Sequence, residues 1–284
     1  MALIYGLNYS IAKDVMPEFV LPRAFILIRV SGAVILFFAL YLLGPRERIA
    51  KKHWPRLIAA GFFGVAANQM LFFEGLNITT PISSAVIMTT NPIMVLSLSA
   101  IFLKVPLKLA RIFGIVLGLS GALYLIGKGG PLTEVFKEQE SLGNLLVMLN
   151  ALSYASYLVV VKPLMKDYKP LTVITWVFLA GLAFVIPFGT TQLPSIEWAL
   201  MPAKIYWEIA FVVVGTTFFA YLLNIYALKT VSSTTVSFYI YLQPLIATAS
   251  AILLGSDEPT SYMLISAALI FSGVYLVSFY KSKK

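Results

Sequence analysis

Long apolar runs of similar length, separated by short polar or Pro- and Gly-bearing stretches, dominate the chain. A hydrocarbon core about 30 Å thick is crossed by roughly 20 residues of helix. Runs of that size fall near 22–43, 56–75, 82–103, 109–127, 142–161, 171–190, 205–227, 232–254 and 260–280. Gly44-Pro45, Thr80-Pro81, Gly129-Gly130-Pro131, Lys169-Pro170 and Glu258-Pro259 punctuate the gaps, as residues that end helices should. One more run precedes Pro17, but Lys13 and Asp14 leave it short of a full crossing. It reads in three ways. A signal peptide would need a basic start and a small-residue cleavage site, which are missing. An interfacial helix is the second reading. The preferred one is a first transmembrane helix whose inner end is absent from this chain. The pattern therefore predicts an all-α integral membrane protein with ten transmembrane helices.

Composition agrees. Hydrophobic residues make up 60% of the chain and charged ones 12%, with mean hydropathy +0.89, whereas soluble domains carry about a quarter charged residues. A lipid-facing exterior accounts for the excess, because lipid demands an apolar surface. Cysteine is absent and His53, the single histidine, lies in a basic loop. Disulfide, iron–sulfur and thiol chemistry are thereby excluded, as is a histidine-built metal site. There is also no HExxH motif and no carboxylate pair within a span, so an enzyme, a metal or a bound cofactor is not expected. A net charge of +9 could suggest nucleic acid. The charges fall between spans rather than on one face, which argues against that partner.

Lys and Arg set the orientation. With both ends cytoplasmic, the inner loops and tail hold Arg46, Arg48, Lys51, Lys52, Arg56, Lys104, Lys108, Arg111, Lys162, Lys166, Lys169, Lys229, Lys281, Lys283 and Lys284. The outer side holds Lys13, Arg23, Lys128, Lys137 and Lys204, with Arg29 left inside a span. The default location is a bacterial inner membrane.

The halves match at a shift close to 150. Tyr5, Asn8 and Lys13 correspond to Tyr154, Tyr157 and Lys162; Pro22 corresponds to Pro170; Gln69 and Phe72 correspond to Tyr221 and Asn224. Gly75-Leu76 corresponds to Ala227-Leu228, Asn91-Pro92 to Gln243-Pro244, and Gly121 to Gly273. An ordered series of this kind marks duplication. Residues 1–127 form the first five-helix repeat, 128–141 an outer connecting loop, 142–280 the second repeat, and 281–284 a basic cytoplasmic tail. An odd helix number inverts the second copy in the membrane. Inverted repeats of this kind place solute sites near the midplane between the copies, around a central cavity.

Several motifs then resemble a known family. Tyr5-Gly6-Leu7-Asn8-Tyr9 followed by Lys13 resembles the WGxN-type opening of EamA domains in the drug/metabolite transporter superfamily. The run from Pro22 to Arg29 resembles that family's second-helix signature, and Asn91-Pro92 and Gln243-Pro244 its fourth-helix polar-Pro pair. Gly255-Ser256-Asp257-Glu258 is similar to the end of its last-but-one helix, whereas Lys104-Val105-Pro106 lacks the matching glutamate. The resemblance implies a ten-helix fold with both termini cytoplasmic and export of metabolites, amino acids or drugs.

Polar residues within spans are the candidate contacts, because lipid penalises them unless they face a bundle interior or cavity. Asn8 and Tyr157 qualify; a hydrogen bond joining two helices is the competing reading. Asn68, Phe72 and Gly75 share one helix face, bordered by Gln69 and Phe73, and Tyr221 and Asn224 recur in the second copy. Pro92 and Pro244 each remove an amide hydrogen and displace the carbonyl four residues earlier. They predict kinks, hence gating points, beside Thr89, Asn91, Tyr239 and Gln243, or else simple packing bends. Tyr154 lies mid-span and is a pocket candidate. Arg29 and Glu74 are candidate charge partners, with Arg29 either meeting a solute carboxylate or pairing with a helix end. Gly114, Gly118 and Gly121 predict close internal helix packing rather than a dimer contact. The expected partners are a small organic solute and the lipid bilayer, with a monomer favoured over a homodimer. Alternating access by a secondary transporter is the leading reading; an uncoupled facilitator or channel is the alternative.

Overall fold

The computed structural model describes residues 2–44, 47–103, 109–128, 138–223 and 242–278. Among these, every regular element is helical. The principal helices are α1 (Ala2–Val15), α2 (Pro22–Leu43), α3 (Lys51–Ile78), α4 (Pro81–Phe102), α5 (Leu109–Ile126) and α6 (Gln139–Val161). They continue with α7 (Pro170–Gly189), α8 (Ala203–Leu223), α9 (Leu242–Leu253) and α10 (Ser261–Ser278). Seven of them, α2 to α8, are long and apolar enough to cross a membrane. Of the span expected at 232–254, residues 232–241 lie outside the described residues.

Large apolar side chains cover the outer surface. Leu43, Leu109 and Leu253 are each 85% exposed, and Trp207 is 77% exposed. Such a surface is untenable in water and ordinary in lipid. Inside, Phe25, Phe37, Phe73 and Phe178 are fully buried and join α2, α3 and α7 into one core. Phe37 meets Phe178 at 5.0 Å and Phe218 of α8 at 5.2 Å between ring centroids. A second core joins α4, α5, α9 and α10 through Ile87, Ile93, Leu125, Ala251 and Ile270.

Helix pairing places α1 beside α8, α9 and α4, and α6 beside α3 and α4. The α2 helix packs on α7 and α8, α3 on α7, and α5 on α10. Glycines let these helices approach closely. A Cβ at Gly273 would overlap backbone atoms of Gly114 and Gly118, and one at Gly121 would press on α10 at Leu269 and Ile270. The glycine stripe of α5 is thus spent on an internal helix contact.

Two helices contain π-helical turns, Phe62–Ala66 in α3 and Phe211–Phe219 in α8. Each lies on the third helix of its half of the sequence. A π turn widens the helix and changes which residues face inward. In α4 the helix stops at Met88 and restarts at Asn91. Pro92 cannot donate to the Met88 carbonyl, and Thr89 and Thr90 instead make tight amide bonds to Val86 and Ile87 at 3.1 and 2.9 Å.

The ends of α2 and α7 are capped reciprocally. The Lys169 amide before α7 donates to Glu47 Oε2 at 2.8 Å, from the loop after α2. The Arg23 amide at the start of α2 donates to Gln192 Oε1 at 2.8 Å, from the turn after α7. Each cap satisfies a helix-start donor that has no partner within its own helix.

Candidate functional site

Arg29 lies about two turns into α2 and is 4% exposed. Its Nε donates to Thr217 Oγ1 of α8 at 2.8 Å, and its Nη1 to Gln69 Oε1 of α3 at 2.5 Å. The guanidinium carbon is 4.6 Å from the centroid of the Phe73 ring, one turn from Gln69 on the same helix face. Thr217 is positioned by the π turn. Its hydroxyl donates to the Val212 carbonyl at 2.9 Å, five residues back, a reach the wider helix provides. Thr216 donates to the same carbonyl at 2.6 Å.

Three tyrosines complete the cluster. Tyr221, one turn beyond Thr217, packs edge-on against Phe178 at 5.1 Å. Tyr5 of α1 and Tyr221 both lie within electrostatic reach of Arg29, and Tyr154 of α6 lies within reach of both tyrosines. Arg29, Gln69 and Thr217 are buried, whereas Tyr5, Tyr154 and Tyr221 are half-buried. The three tyrosines come from three helices, and each keeps part of its surface accessible. A donor-rich floor under aromatic walls can hold a small organic molecule with a polar end.

The structure distributes the other sequence candidates as follows. Asn8, one turn past Tyr5, is buried, and its Oδ1 has no partner among the described residues. Asn91, at the restart of α4, likewise carries a buried Oδ1 without a partner. Thr89 is buried, and its hydroxyl donates to the Val86 carbonyl at 2.6 Å. Pro92 and Gln243 are half-buried and Pro244 is buried. The Gln243 carbonyl faces Gly6 of α1, where helices α1 and α9 touch.

Asn68 and Tyr157 belong to the α3–α6 contact. The Asn68 carbonyl accepts from Asn150 Nδ2 at 2.7 Å, the Phe63 carbonyl accepts from Ser153 Oγ at 2.7 Å, and the Tyr157 ring rests on Gly64. Tyr154 and Tyr157 lie 6.0 Å apart. Phe72 packs edge-on against Tyr9 at 5.6 Å. Glu74 pairs with Arg23 at 2.7 Å near the ends of their helices, while Arg29 is held by side chains of α3 and α8 rather than by a helix end. Asn224 and Tyr239 lie outside the described residues. Among the described residues no group of acidic and histidine side chains could hold a metal ion.

Sequence reasoning passed over Tyr5 and Thr217 as site residues, and placed Phe73 only at the border of the candidate face. Tyr5 was already aligned with Tyr154, and that correspondence could have nominated it. Thr217 depends on the π turn, for which the apolar pattern holds no signal.

Helices of this length and apolarity around a polar centre define a polytopic membrane protein. The sequence profile of the EamA-like transporter family matches the chain twice, over residues 1–127 and 141–279, and the chain belongs to that family. It is 25% identical to the uncharacterized transporter YyaM of Bacillus subtilis over 87% of this chain and 81% of that protein. An uncharacterized transporter of Archaeoglobus fulgidus is 26% identical over 96% of this chain and 94% of its own length. A probable terminal-alkyne amino-acid exporter of Streptantibioticus cattleyicolor is 26% identical over 87% of this chain and 80% of that protein. One crystal structure shares the fold with a TM-score of 0.65 at 18% identity, covering 98% of this chain and 94% of that one.

Proposed function

We propose that this protein is a ten-helix secondary transporter that exports small organic solutes, amino acids and related compounds among them, by alternating access. Two inverted five-helix repeats surround the solute site, and both termini face the cytoplasm. The observation that carries this reading is the exchange symmetry of the most extensive helix contacts. Adding or subtracting five from each helix number turns α1–α9 into α6–α4, α3–α6 into α8–α1, and α2–α8 into α7–α3, and every one of these contacts is present. The pairs α2–α7 and α5–α10 map onto themselves. The reciprocal caps of α2 and α7 obey the same exchange.

A bundle built this way has two related openings, one toward each face, because exchanging the repeats turns one into the other. The polar centre lies where the repeats meet, and Tyr5 with Tyr154 and Gln69 with Tyr221 are repeat-related pairs. The break before Pro92 supplies a bending point, and Pro244 is its sequence counterpart in the second copy. The name of the Streptantibioticus relative supports an amino-acid-like solute.

Counterflow in proteoliposomes tests the proposal. Vesicles loaded with unlabelled amino acids should accumulate labelled amino acid against its gradient, since a carrier is trans-stimulated. Simple equilibration without trans-stimulation would assign the fold to an uncoupled pore instead.

A further inference from the structure

We propose that Arg29 is the docking point for the carboxylate of the transported solute. The inference deepens the transport reading by naming the solute's charged group. It rests on a charge count that the sequence itself closes. All the acidic residues are Asp14, Glu18, Glu47, Glu74, Glu134, Glu138, Glu140, Asp167, Glu197, Glu208, Asp257 and Glu258. Each of those among the described residues lies in a loop or near a helix end, and residues 224–241 contain none. Among the described residues no carboxylate therefore forms an ion pair with Arg29. Its nearby partners are an amide, a hydroxyl and a ring face, all uncharged.

Burying a guanidinium without an anion is costly, and neutral hydrogen bonds recover only part of its lost hydration. The group also has donors left over. Arginine carries five N–H groups in a planar fork. Among the described residues, side chains take one on Nε and one on Nη1. Gln69 and Thr217 hold the fork from two sides, and Phe73 covers the ring-facing side. Tyr5 and Tyr221 approach within electrostatic reach and retain accessible surface. A carboxylate entering between the tyrosines would meet a pre-oriented fork whose geometry matches it. The rings of Tyr5, Tyr154 and Tyr221 would then enclose the organic part. A cationic solute lacking an acid group would meet an uncompensated positive charge, which makes Arg29 a device for selectivity as well as affinity.

The test is thermal stabilisation of the purified wild-type protein by matched probes differing only in charge: 3-phenylpropanoate against 3-phenylpropanamide, and L-phenylalanine against L-phenylalaninamide. Half-maximal stabilisation by the acids should need about tenfold less ligand than by the amides, as a charge-assisted hydrogen bond implies. In Arg29→Gln that preference should vanish, and Arg29→Lys should retain part of it. If Arg29→Gln fails to fold, the wild-type comparison still decides. Equal action by acid and amide, preference for the amide, or no stabilisation by either acid overturns the proposal. Counterflow of the same probes separates this from the transport reading. Accumulation of the amides but not the acids would remove Arg29's role and leave transport standing, whereas accumulation of neither would remove both.

Discussion

At Gly64 the backbone of α3 comes close enough for the Tyr157 ring of α6 to rest directly on it. The neighbouring contacts are of the same kind: Ser153 donates to the Phe63 carbonyl and Asn150 to the Asn68 carbonyl. Three α6 residues spaced along one face thus read the backbone of α3, with the glycine supplying the space. A side chain at position 64 would push Tyr157 aside or force the helices apart. Gly64→Val is expected to lower stability by about 2 kcal/mol, the ordinary cost of overpacking a close contact. The readout is the detergent melting temperature, and an unchanged value would show that the α3–α6 contact yields without cost. Tyr157 and Asn68 therefore have packing duties beside whatever contact they make with a solute.

At the scale of single helices, chain ends and interruptions matter more than the apolar runs between them. Lys13, near the end of α1, donates to the carbonyls of Leu76 and Thr79 at 2.9 Å each, and also to that of Asn77. These oxygens close the C-terminal end of α3, where a helix carries unsatisfied acceptors and partial negative charge. One ammonium thus ties two helices together at that end. Lys13→Met keeps the length of the side chain and deletes the donors. It should destabilise the protein by about 1 kcal/mol, given the partial exposure of the site. Hydrogen exchange should also quicken in the last turn of α3, and protection equal to wild type there would refute the capping role. The interruption of α4 follows from a different cause, a proline that cannot donate. The π turns of α3 and α8 belong with it, since each alters the register of a helix beside the polar centre.

For the whole molecule, the consequence to test is orientation. Under the inverted-repeat proposal Arg48 and Lys166 face the cytoplasm, while Glu138 and Glu197 face outward. The chain contains no cysteine, so single cysteines introduced at these four positions report without background. A membrane-impermeant maleimide should label positions 138 and 197 on intact cells and positions 48 and 166 only after the membrane is opened. Equal labelling of all four on intact cells, or the reverse pattern, would overturn the topology. The reciprocal caps on α2 and α7 suggest how motion is divided. Under the alternating-access proposal, a pair tied at both ends moves as one unit, and α1, α4 and their partners α9 and α6 open and close around the centre.

Much of this was legible in the chain itself. Apolar runs located the spans because lipid admits only helices that satisfy their own backbone, and Pro92 announced a break that the structure places at Thr89 and Thr90. The motifs running from Tyr5 to Glu258 pointed to the EamA family, which the twofold profile match bears out. Arg29 stood out as a charge within a span. The tertiary structure decided which polar side chains share a space. Gln69 reaches Arg29 while the Asn68 carbonyl is taken by α6, although the two are adjacent in sequence. Thr217 joins the cluster because a π turn rotates it inward. Glu74 pairs with Arg23 instead of Arg29. Periodicity fixes where along a helix a residue lies, since that follows from local geometry. Which helix it faces depends on contacts between segments far apart in the chain, and those form only on folding.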